Sequence, residues 1–299
     1  MHVTTQPWMH LLGIPQPPAP PNFGGALVAE KPASKGVPAD PDKTPPPPQE
    51  SIGVSPVVQA FLLRLQELGM TSLTGTDGAD ALKGWSGSLA DAGSGDDTID
   101  VWSDSVVDAG DGADSVRAWS DSAVYGGNGN DQLDAWSGSV VDGGAGDDMI
   151  RAWSDTAVAG GDGDDVIDAW SNSKVDGGNG DDVIQAHSGS VVTGGRGNDT
   201  IVVRSDSVVR FEAGDGQDTI HAGTDTNIQF GQGMTSERTK VEVSGNIATV
   251  RFDGSDDALT LHLRPGSPAS LTFADGTSLS VAGEPTRVGI ELSTGLTLP

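Results

Sequence analysis

The sequence contains no cysteine and very few basic residues. The absence of cysteine excludes disulfide bonds, thiolate metal sites and cysteine catalysis, and it leaves the redox compartment open. Lys and Arg number 16 against 43 Asp and Glu, which gives a formal net charge of −27 over 299 residues. A surface of this charge repels nucleic-acid backbones and anionic membranes. The charge balance therefore favours a cation as the partner.

Long apolar runs are also missing. No stretch approaches the roughly 20 apolar residues that a membrane-spanning helix needs. The first residues, Met1 to Gly13, have no Lys or Arg before a short apolar patch and no convincing cleavage site, so they match a secretory signal poorly. If the chain is exported, we expect it to use another route.

Proline is concentrated near the N-terminus. Fourteen of the 18 prolines lie between Pro7 and Pro56, which favours extended conformers, and we predict that residues 1–54 are disordered. Residues 55–70 then have helical apolar spacing between the N-capping pair Ser55-Pro56 and Gly69. We predict a short amphipathic helix there, either capping the next domain or contacting another chain.

From residue 74 onwards, one aspartate recurs every 17 residues. It closes a glycine-rich turn such as Gly143-Gly144-Ala145-Gly146-Asp147-Asp148, and an apolar residue follows two positions later. A fixed period of this kind is the signature of a solenoid. The nine motif aspartates are Asp80, Asp97, Asp114, Asp131, Asp148, Asp165, Asp182, Asp199 and, after a step of 19, Asp218.

Each 17-residue unit is expected to form one coil with two short strands and two turns. Strand alternation places Ile99 and Val101 inside the coil and Thr98, Asp100 and Trp102 outside it. The second turn has only Gly, Asp or Asn at its centre, residue types that tolerate a left-handed bend. Stacking the coils about 4.8 Å apart would pair every strand with its neighbours.

The glycine-rich turns have the chemistry of a calcium site. Glycine permits backbone angles at which carbonyl groups converge, aspartate supplies a carboxylate, and hard oxygen ligands select Ca²⁺. The neighbouring Asp96, Asp147, Asp164 and Asp181 are expected to be solvated charges. Beside the motif aspartates, the predicted ligands are the backbone carbonyls of Gly75, Asp77, Gly93, Gly95, Gly110, Gly112, Gly127, Gly129, Gly144, Gly146, Gly161, Gly163, Gly178, Gly180, Gly195, Gly197, Gly214 and Gly216.

The Gly-Gly-x-Gly-x-Asp-x-apolar pattern resembles the repeats of the RTX, or hemolysin-type, calcium-binding family over residues 73–223. The resemblance implies a parallel β-roll and secretion by a type I exporter that reads an uncleaved C-terminal signal. The family usually carries such turns on both edges of the roll. Here every second turn is replaced by a type built on Ala-Trp-Ser-Asp-Ser-x-Val, so calcium turns are expected on one edge only.

We therefore predict an all-β fold with a right-handed parallel β-roll, or β-helix solenoid, over residues 71–223. A small antiparallel β cap is expected over 224–283, and the tail 284–299 would hold the export signal. Residues 74–222 carry 29 acidic and 7 basic residues, a net charge of −22, so the metal-free repeats would repel themselves. About eight Ca²⁺ ions between nine turns would couple folding to extracellular calcium.

Six of the seven tryptophans form a second column with the same spacing. These residues point outward next to the serine-rich turn, where the rings either stack on one another or bind a polysaccharide, a lipid surface or a second chain. The tryptophan column consists of Trp85, Trp102, Trp119, Trp136, Trp153 and Trp170 and is continued by His187 and Arg204.

No sequence motif predicts a catalytic residue. The chain lacks His-Glu-x-x-His, a Walker loop, Gly-x-Ser-x-Gly and an EF-hand loop ending in Glu, so an enzyme is not expected, although a glycan-active site of scattered carboxylates stays open. The leading hypothesis is a secreted, extracellular calcium-binding protein. The alternatives are an adhesive or matrix module that uses the tryptophan column, and an accessory domain of a separate secreted enzyme.

Overall fold

The computed structural model describes residues 71–283. These residues form 24 β-strands and one short 3-10 helix, Ser236–Arg238. The segment 1–54, the predicted helix at 55–70 and the tail 284–299 lie outside the described residues. Within 71–283, no helix is long and apolar enough to cross a membrane.

The strands form two sheets, and the chain enters each sheet in turn. The first sheet contains, in order, β1 Thr71–Thr76, β3 Ser88–Gly93, β5 Val106–Asp111, β7 Ala123–Asn128, β9 Val140–Ala145, β11 Ala157–Asp162, β13 Lys174–Asn179, β15 Val191–Arg196, β17 Val208–Phe211, β19 Asn227–Phe230, β23 Ala269–Thr272 and β24 Ser278–Val281. The second contains β2 Ala81–Gly84, β4 Thr98–Val101, β6 Ser115–Ala118, β8 Gln132–Ala135, β10 Met149–Ala152, β12 Val166–Ala169, β14 Val183–Ala186, β16 Thr200–Val203, β18 Gln217–His221, β22 Ala258–His262, β21 Ile247–Phe252 and β20 Thr239–Ser244.

Neighbouring coils stack in a 17-residue register. In β10 and β12, for example, Ile150 pairs with Ile167 and Ala152 pairs with Ala169, and the strands are parallel. One coil contributes one strand to each sheet, so the period of the sequence becomes the period of the stack. The predicted parallel β-solenoid, with about nine coils, is confirmed.

The interior of the solenoid is narrow and is filled by single columns of residues. Alanine lines part of it, as at Ala135 and Ala152, and this small side chain lets the two sheets approach each other. The opposite sheet contributes valines such as Val107 and Val141, which are also buried. The largest column is fully or almost fully buried and consists of Ile99, Val116, Leu133, Ile150, Ile167, Ile184, Ile201 and Ile220.

The serine-rich turns form one edge of the solenoid, which we call the serine edge. Its central residues have a left-handed backbone, as predicted: φ is 61° at Asp104, 60° at Asp121 and 80° at Gly138. Side chains also join successive turns, because the backbone N–H of Ser105 donates to Ser122 Oγ at 3.2 Å. The repeated serines are therefore a structural ladder.

A short antiparallel cap follows the last coil. Strand β22 pairs in parallel with β18 and continues into antiparallel β21 and β20, while β24 pairs antiparallel with β23. The ring of Phe230 lies 6.2, 5.3 and 5.2 Å from the rings of Phe211, Phe252 and Phe273. This aromatic cluster covers the open end of the narrow core.

Candidate functional site

The turns that end in the motif aspartates form the other edge of the solenoid, which we call the glycine edge. Each turn leaves a strand of the first sheet and leads into a strand of the second. The aspartate stands directly before that strand, as Asp148 does before β10, except that Asp218 lies within β18. The reversal requires glycine: φ is 112° at Gly144 and 126° at Gly146, a region that residues with a Cβ rarely adopt. All nine motif aspartates are thereby brought to one edge.

One carboxylate oxygen of every motif aspartate after Asp80 holds the preceding coil. Asp148 Oδ1 accepts a hydrogen bond from the backbone N–H of Asp131 at 2.8 Å, and Asp165 Oδ1 accepts one from Asp148 at 2.8 Å. The same bond joins every successive pair from Asp80 to Asp218, at 2.7–3.1 Å. The ladder fixes the orientation of the carboxylates, so the second oxygen of each has a defined direction.

The second oxygen is buried and has no hydrogen-bond partner in seven successive coils. A buried carboxylate oxygen without a partner is costly, and its repetition in a row indicates a missing ligand rather than a local defect. The seven atoms are the Oδ2 atoms of Asp97, Asp114, Asp131, Asp148, Asp165, Asp182 and Asp199.

The two ends of the row differ from its middle. Asp80 Oδ2 accepts hydrogen bonds from the backbone N–H and the hydroxyl of Thr76, at 2.6 and 2.8 Å. At the other end, Leu259 of the cap stands opposite Asp218, so no tenth aspartate continues the row. The first predicted site is therefore satisfied within its own turn, and the unsatisfied oxygens begin with Asp97.

Backbone carbonyls of the next coil point to the free carboxylate oxygens. A methyl group added to Gly126 would overlap both Asp131 Oδ2 and the carbonyl oxygen of Gly143. The same pair of oxygens faces the first glycine of the next two turns, Gly143 and Gly160, and of Gly177 after them. We call the space between two such turns a gap. Each of these four gaps is thus an oxygen-lined cradle that exists because the residue beside it has no Cβ.

The predicted carbonyl ligands lie on the same edge, although the pairing just described was not anticipated. The carbonyl groups of the second glycines face the next coil. The carbonyl oxygen of Gly110, for example, lies where a methyl group on Gly127 would be. Apart from Gly75, the sequence prediction did not include the carbonyls of the first glycines, such as Gly143 and Gly160. The periodic glycine was visible in the sequence, but the direction of its carbonyl group was not.

Burial raises the pKa of the motif carboxyls from Asp97 to Asp218 above the ordinary value. The pKa is raised to about 7 for Asp131, Asp165 and Asp182, mainly by desolvation and then by the neighbouring carboxylates. Asp218, at the end of the row, reaches a pKa of about 8 for the same reasons. A bound divalent cation would reverse this balance, because it stabilises the charged form.

The donor set fits a hard cation that accepts carbonyl oxygens. Each gap offers carboxylate and backbone carbonyl oxygens, which are the ligands that Ca²⁺ prefers. Among the residues from 71 to 283, no three or more His, Cys, Asp or Glu side chains come together around one metal position. A calcium ion here would therefore be held by carboxylates from the motif and by main-chain oxygens of adjacent turns.

The residues before the motif aspartates form a second ladder in the opposite sense. Asp147 Oδ1 accepts from the N–H of Asp164 at 3.0 Å, and Asp164 Oδ1 accepts from Asp181 at 2.8 Å. In the same way, Asn130 Oδ1 accepts a hydrogen bond from the backbone N–H of Asp147 at 3.0 Å. These side chains are exposed, as expected, but they also bridge coils, which the sequence did not reveal.

The tryptophan column is a continuous stack. Successive ring centroids are 4.4–5.9 Å apart with interplanar angles of 17–28°, and His187 continues the stack 4.9 Å from Trp170. Each inner ring covers the faces of its neighbours. Of the two arrangements that the sequence left open, mutual stacking is present, and Trp85 at the end is 72% exposed.

The comparison with protein families agrees with the repeat pattern of these turns. The family model described as the RTX calcium-binding nonapeptide repeat matches four times, at residues 121–139, 139–156, 172–201 and 210–229. No curated protein matches the sequence. Among solved structures, the chain is similar to the extracellular lipase LipA from Serratia marcescens, with 15% identity and a TM-score of 0.28. The match covers 64% of this chain and 39% of the lipase chain, so this chain spans well under half of the lipase's length.

Proposed function

We propose that the chain is a secreted calcium-binding protein whose repeats fold when Ca²⁺ fills the gaps of the glycine edge, and the four matches to the RTX calcium-binding nonapeptide repeat support this proposal. The observation that carries this proposal is the row of seven buried Oδ2 atoms without hydrogen-bond partners. Such a row is expensive in the metal-free state and becomes favourable when cations neutralise it.

The electrostatics support a coupling between binding and folding. The repeats carry a net charge of −22, and stacking the coils places the motif carboxylates in adjacent rungs. Extracellular calcium modules have dissociation constants of about 10⁻⁴–10⁻³ M. At about 1 mM calcium each such site contributes about 0.4–1.4 kcal/mol, whereas submicromolar calcium contributes almost nothing. Seven sites in series would together contribute several kcal/mol.

The free carboxylate oxygens also determine the number of calcium ions that we expect. The eight gaps counted in the sequence reduce to seven with a free carboxylate oxygen, because Thr76 already satisfies Asp80. We propose that these seven gaps are the calcium sites. A chain that folds only in millimolar calcium stays unfolded inside a cell, which suits export in an unfolded form through a type I exporter.

The repeats are a calcium-binding structure and are not catalytic by themselves. We propose that the chain is not an enzyme. A role of the tryptophan column in adhesion has no comparable support, because the inner rings already cover one another's faces. The same holds for an accessory role beside a separate enzyme.

A calcium titration of the full chain, followed by circular dichroism and by equilibrium dialysis, tests the proposal. We expect the β signal to rise with calcium and Asp148→Asn to weaken the titration. Asp147→Asn is a matched control: Asn130 and Asn198 already occupy that position, and an amide oxygen can accept the same bond. Full β structure in chelated buffer with no bound calcium would refute the proposal.

A further inference from the structure

The first residue of the glycine turn is not the same in every coil. It is glycine at Gly126, Gly143, Gly160, Gly177 and Gly194, but alanine at Ala92 and Ala109. Both alanines are fully buried. The difference divides the row of seven free carboxylates into two that follow alanine, Asp97 and Asp114, and five that follow glycine.

The alanine methyl groups stand where the gap needs open space. At Gly126 and Gly160, an added methyl group would overlap the free Oδ2 of the motif aspartate and the facing carbonyl oxygen of the next coil. Because the coils share one register, the methyl groups of Ala92 and Ala109 project to this same place in their own turns. They occupy volume between oxygens that would otherwise approach one cation.

The strand pairing changes where the two alanines stack on each other. The pairing of β5 with β7 continues past the first turn position to Gly110 opposite Gly127, and the next pairs do likewise. Between β3 and β5 it is interrupted after Asp91 opposite Asp108, directly before Ala92 and Ala109, and resumes at Ser94 opposite Asp111. This is the coil pair in which both first positions carry a methyl group.

We propose that the first turn residue selects which gaps bind calcium: the five gaps that follow Gly126 to Gly194 form the tight class, and the methyl groups of Ala92 and Ala109 keep calcium out of the gaps at Asp97 and Asp114 at concentrations that fill the others. The inference rests on the proposed function. It assigns a selective role to residues that contribute no ligand side chain.

The test is a count of bound calcium on the full chain, by equilibrium dialysis at graded free calcium. The wild-type chain is expected to bind five ions in the tight class. At the same free calcium, the double variant Ala92→Gly/Ala109→Gly is expected to bind seven, because the gaps at Asp97 and Asp114 join the tight class. In the reverse direction, Gly160→Ala is expected to lose one. Gly160 does not have a left-handed φ, so alanine fits its backbone.

Ala145→Gly is the matched control, because it adds the same chain freedom to a glycine turn without opening a gap. An equal gain of calcium in this control, or an unchanged count in the double variant, would overturn the inference and leave the proposed function intact. A wild-type chain that binds no calcium would instead defeat the proposed function. Circular dichroism at saturating calcium checks that each variant is folded.

Discussion

Asp257 Oδ2 accepts a hydrogen bond from the backbone N–H of Gly214, 43 positions earlier in the chain, at 3.1 Å. Its other oxygen accepts from the N–H of Gly216 at 3.3 Å. In the preceding coil, the equivalent N–H of Gly197 donates to the carbonyl oxygen of Asp215 in the next turn. The last turn has no successor, and the Asp257 carboxylate of the cap replaces the missing carbonyl.

Replacing Asp257 by Ala should loosen the cap from the last coil. The backbone N–H groups of Gly214 and Gly216 lose a buried, charged acceptor, so we expect a loss of about 2–3 kcal/mol in the free energy of unfolding. Urea denaturation in saturating calcium measures this loss, and Asp256→Ala, at an exposed neighbouring carboxylate, is the control. Equal effects of the two substitutions would mean that Asp257 does not anchor the cap.

The metal-free solenoid should be more stable in acid than in base. The pKa of Asp131 and Asp165 is about 7 in the folded chain, well above the ordinary value of 3.8. Between about pH 4 and pH 7 the folded state therefore binds more protons than the unfolded state. The resulting stability is fully present below about pH 4 and is lost as the pH rises through about 7. Circular dichroism of the calcium-free chain should show more β signal at pH 5 than at pH 8. The opposite order would contradict the burial of these carboxyls.

Calcium affinity should change with pH in the opposite direction. Protons and Ca²⁺ compete for the same carboxylates, and the pKa of about 7 at Asp182 places this competition near neutrality. We expect calcium to bind more tightly at pH 8 than at pH 6. Titrations at fixed ionic strength can measure the difference. An affinity that does not depend on pH would exclude these carboxyls as ligands.

Within the tryptophan column, an inner ring should matter more than the end ring. Trp136 stacks on Trp119 at 4.4 Å and on Trp153 at 5.9 Å, whereas Trp85 has one stacked neighbour. Because Trp136→Ala removes the stacking on both faces of its ring, it should cost about 1–3 kcal/mol, and Trp85→Ala should cost less than about 1 kcal/mol. Urea denaturation in calcium compares the two variants. An equal cost would show that stacking is not the stabilising feature.

The bend of the serine edge can be tested at Asp121, whose φ is 60°. Valine is strained at positive φ, so Asp121→Val should cost about 1–2 kcal/mol or more. Asp121→Gly should be tolerated, because Gly138 already occupies the equivalent position of the next coil with φ of 80°. The two variants are compared by thermal unfolding in calcium. A tolerated valine would mean that the turn can relax to another conformation.

The sequence predicted the periodic features of this fold because they depend on residue type alone. Spacing places Ile150 and Ile167 in one column, and a residue set limited to Gly, Asp and Asn indicates the left-handed bend at Asp104. The two oxygens of Asp148 are equivalent in a sequence, so their separate roles emerged only from the stacked coils. Asp257 acts across 43 positions without any periodic signal.

The first turn departs from the glycine pattern of the other turns, and this difference is visible in the sequence. Thr76 stands where the other turns have their second glycine, and it is the residue that satisfies Asp80. The nine aspartates are equivalent in the repeat pattern, but their hydrogen bonds differ: Asp80 Oδ2 has partners, whereas seven of the other Oδ2 atoms have none. The number of free ligands therefore depends on neighbours of the motif as much as on the motif.

The two opposed ladders of the glycine edge make neighbouring coils interchangeable where both are complete. Asp148 accepts from the coil before it and Asp147 accepts from the coil after it, so a coil with both side chains presents matching acceptors to both of its neighbours. Excising or duplicating 17 residues there would restore the same hydrogen bonds and leave both ends of the solenoid unchanged. Gene duplication can thus adjust the length of this molecule in steps of about 4.8 Å, with one extra ion for each step.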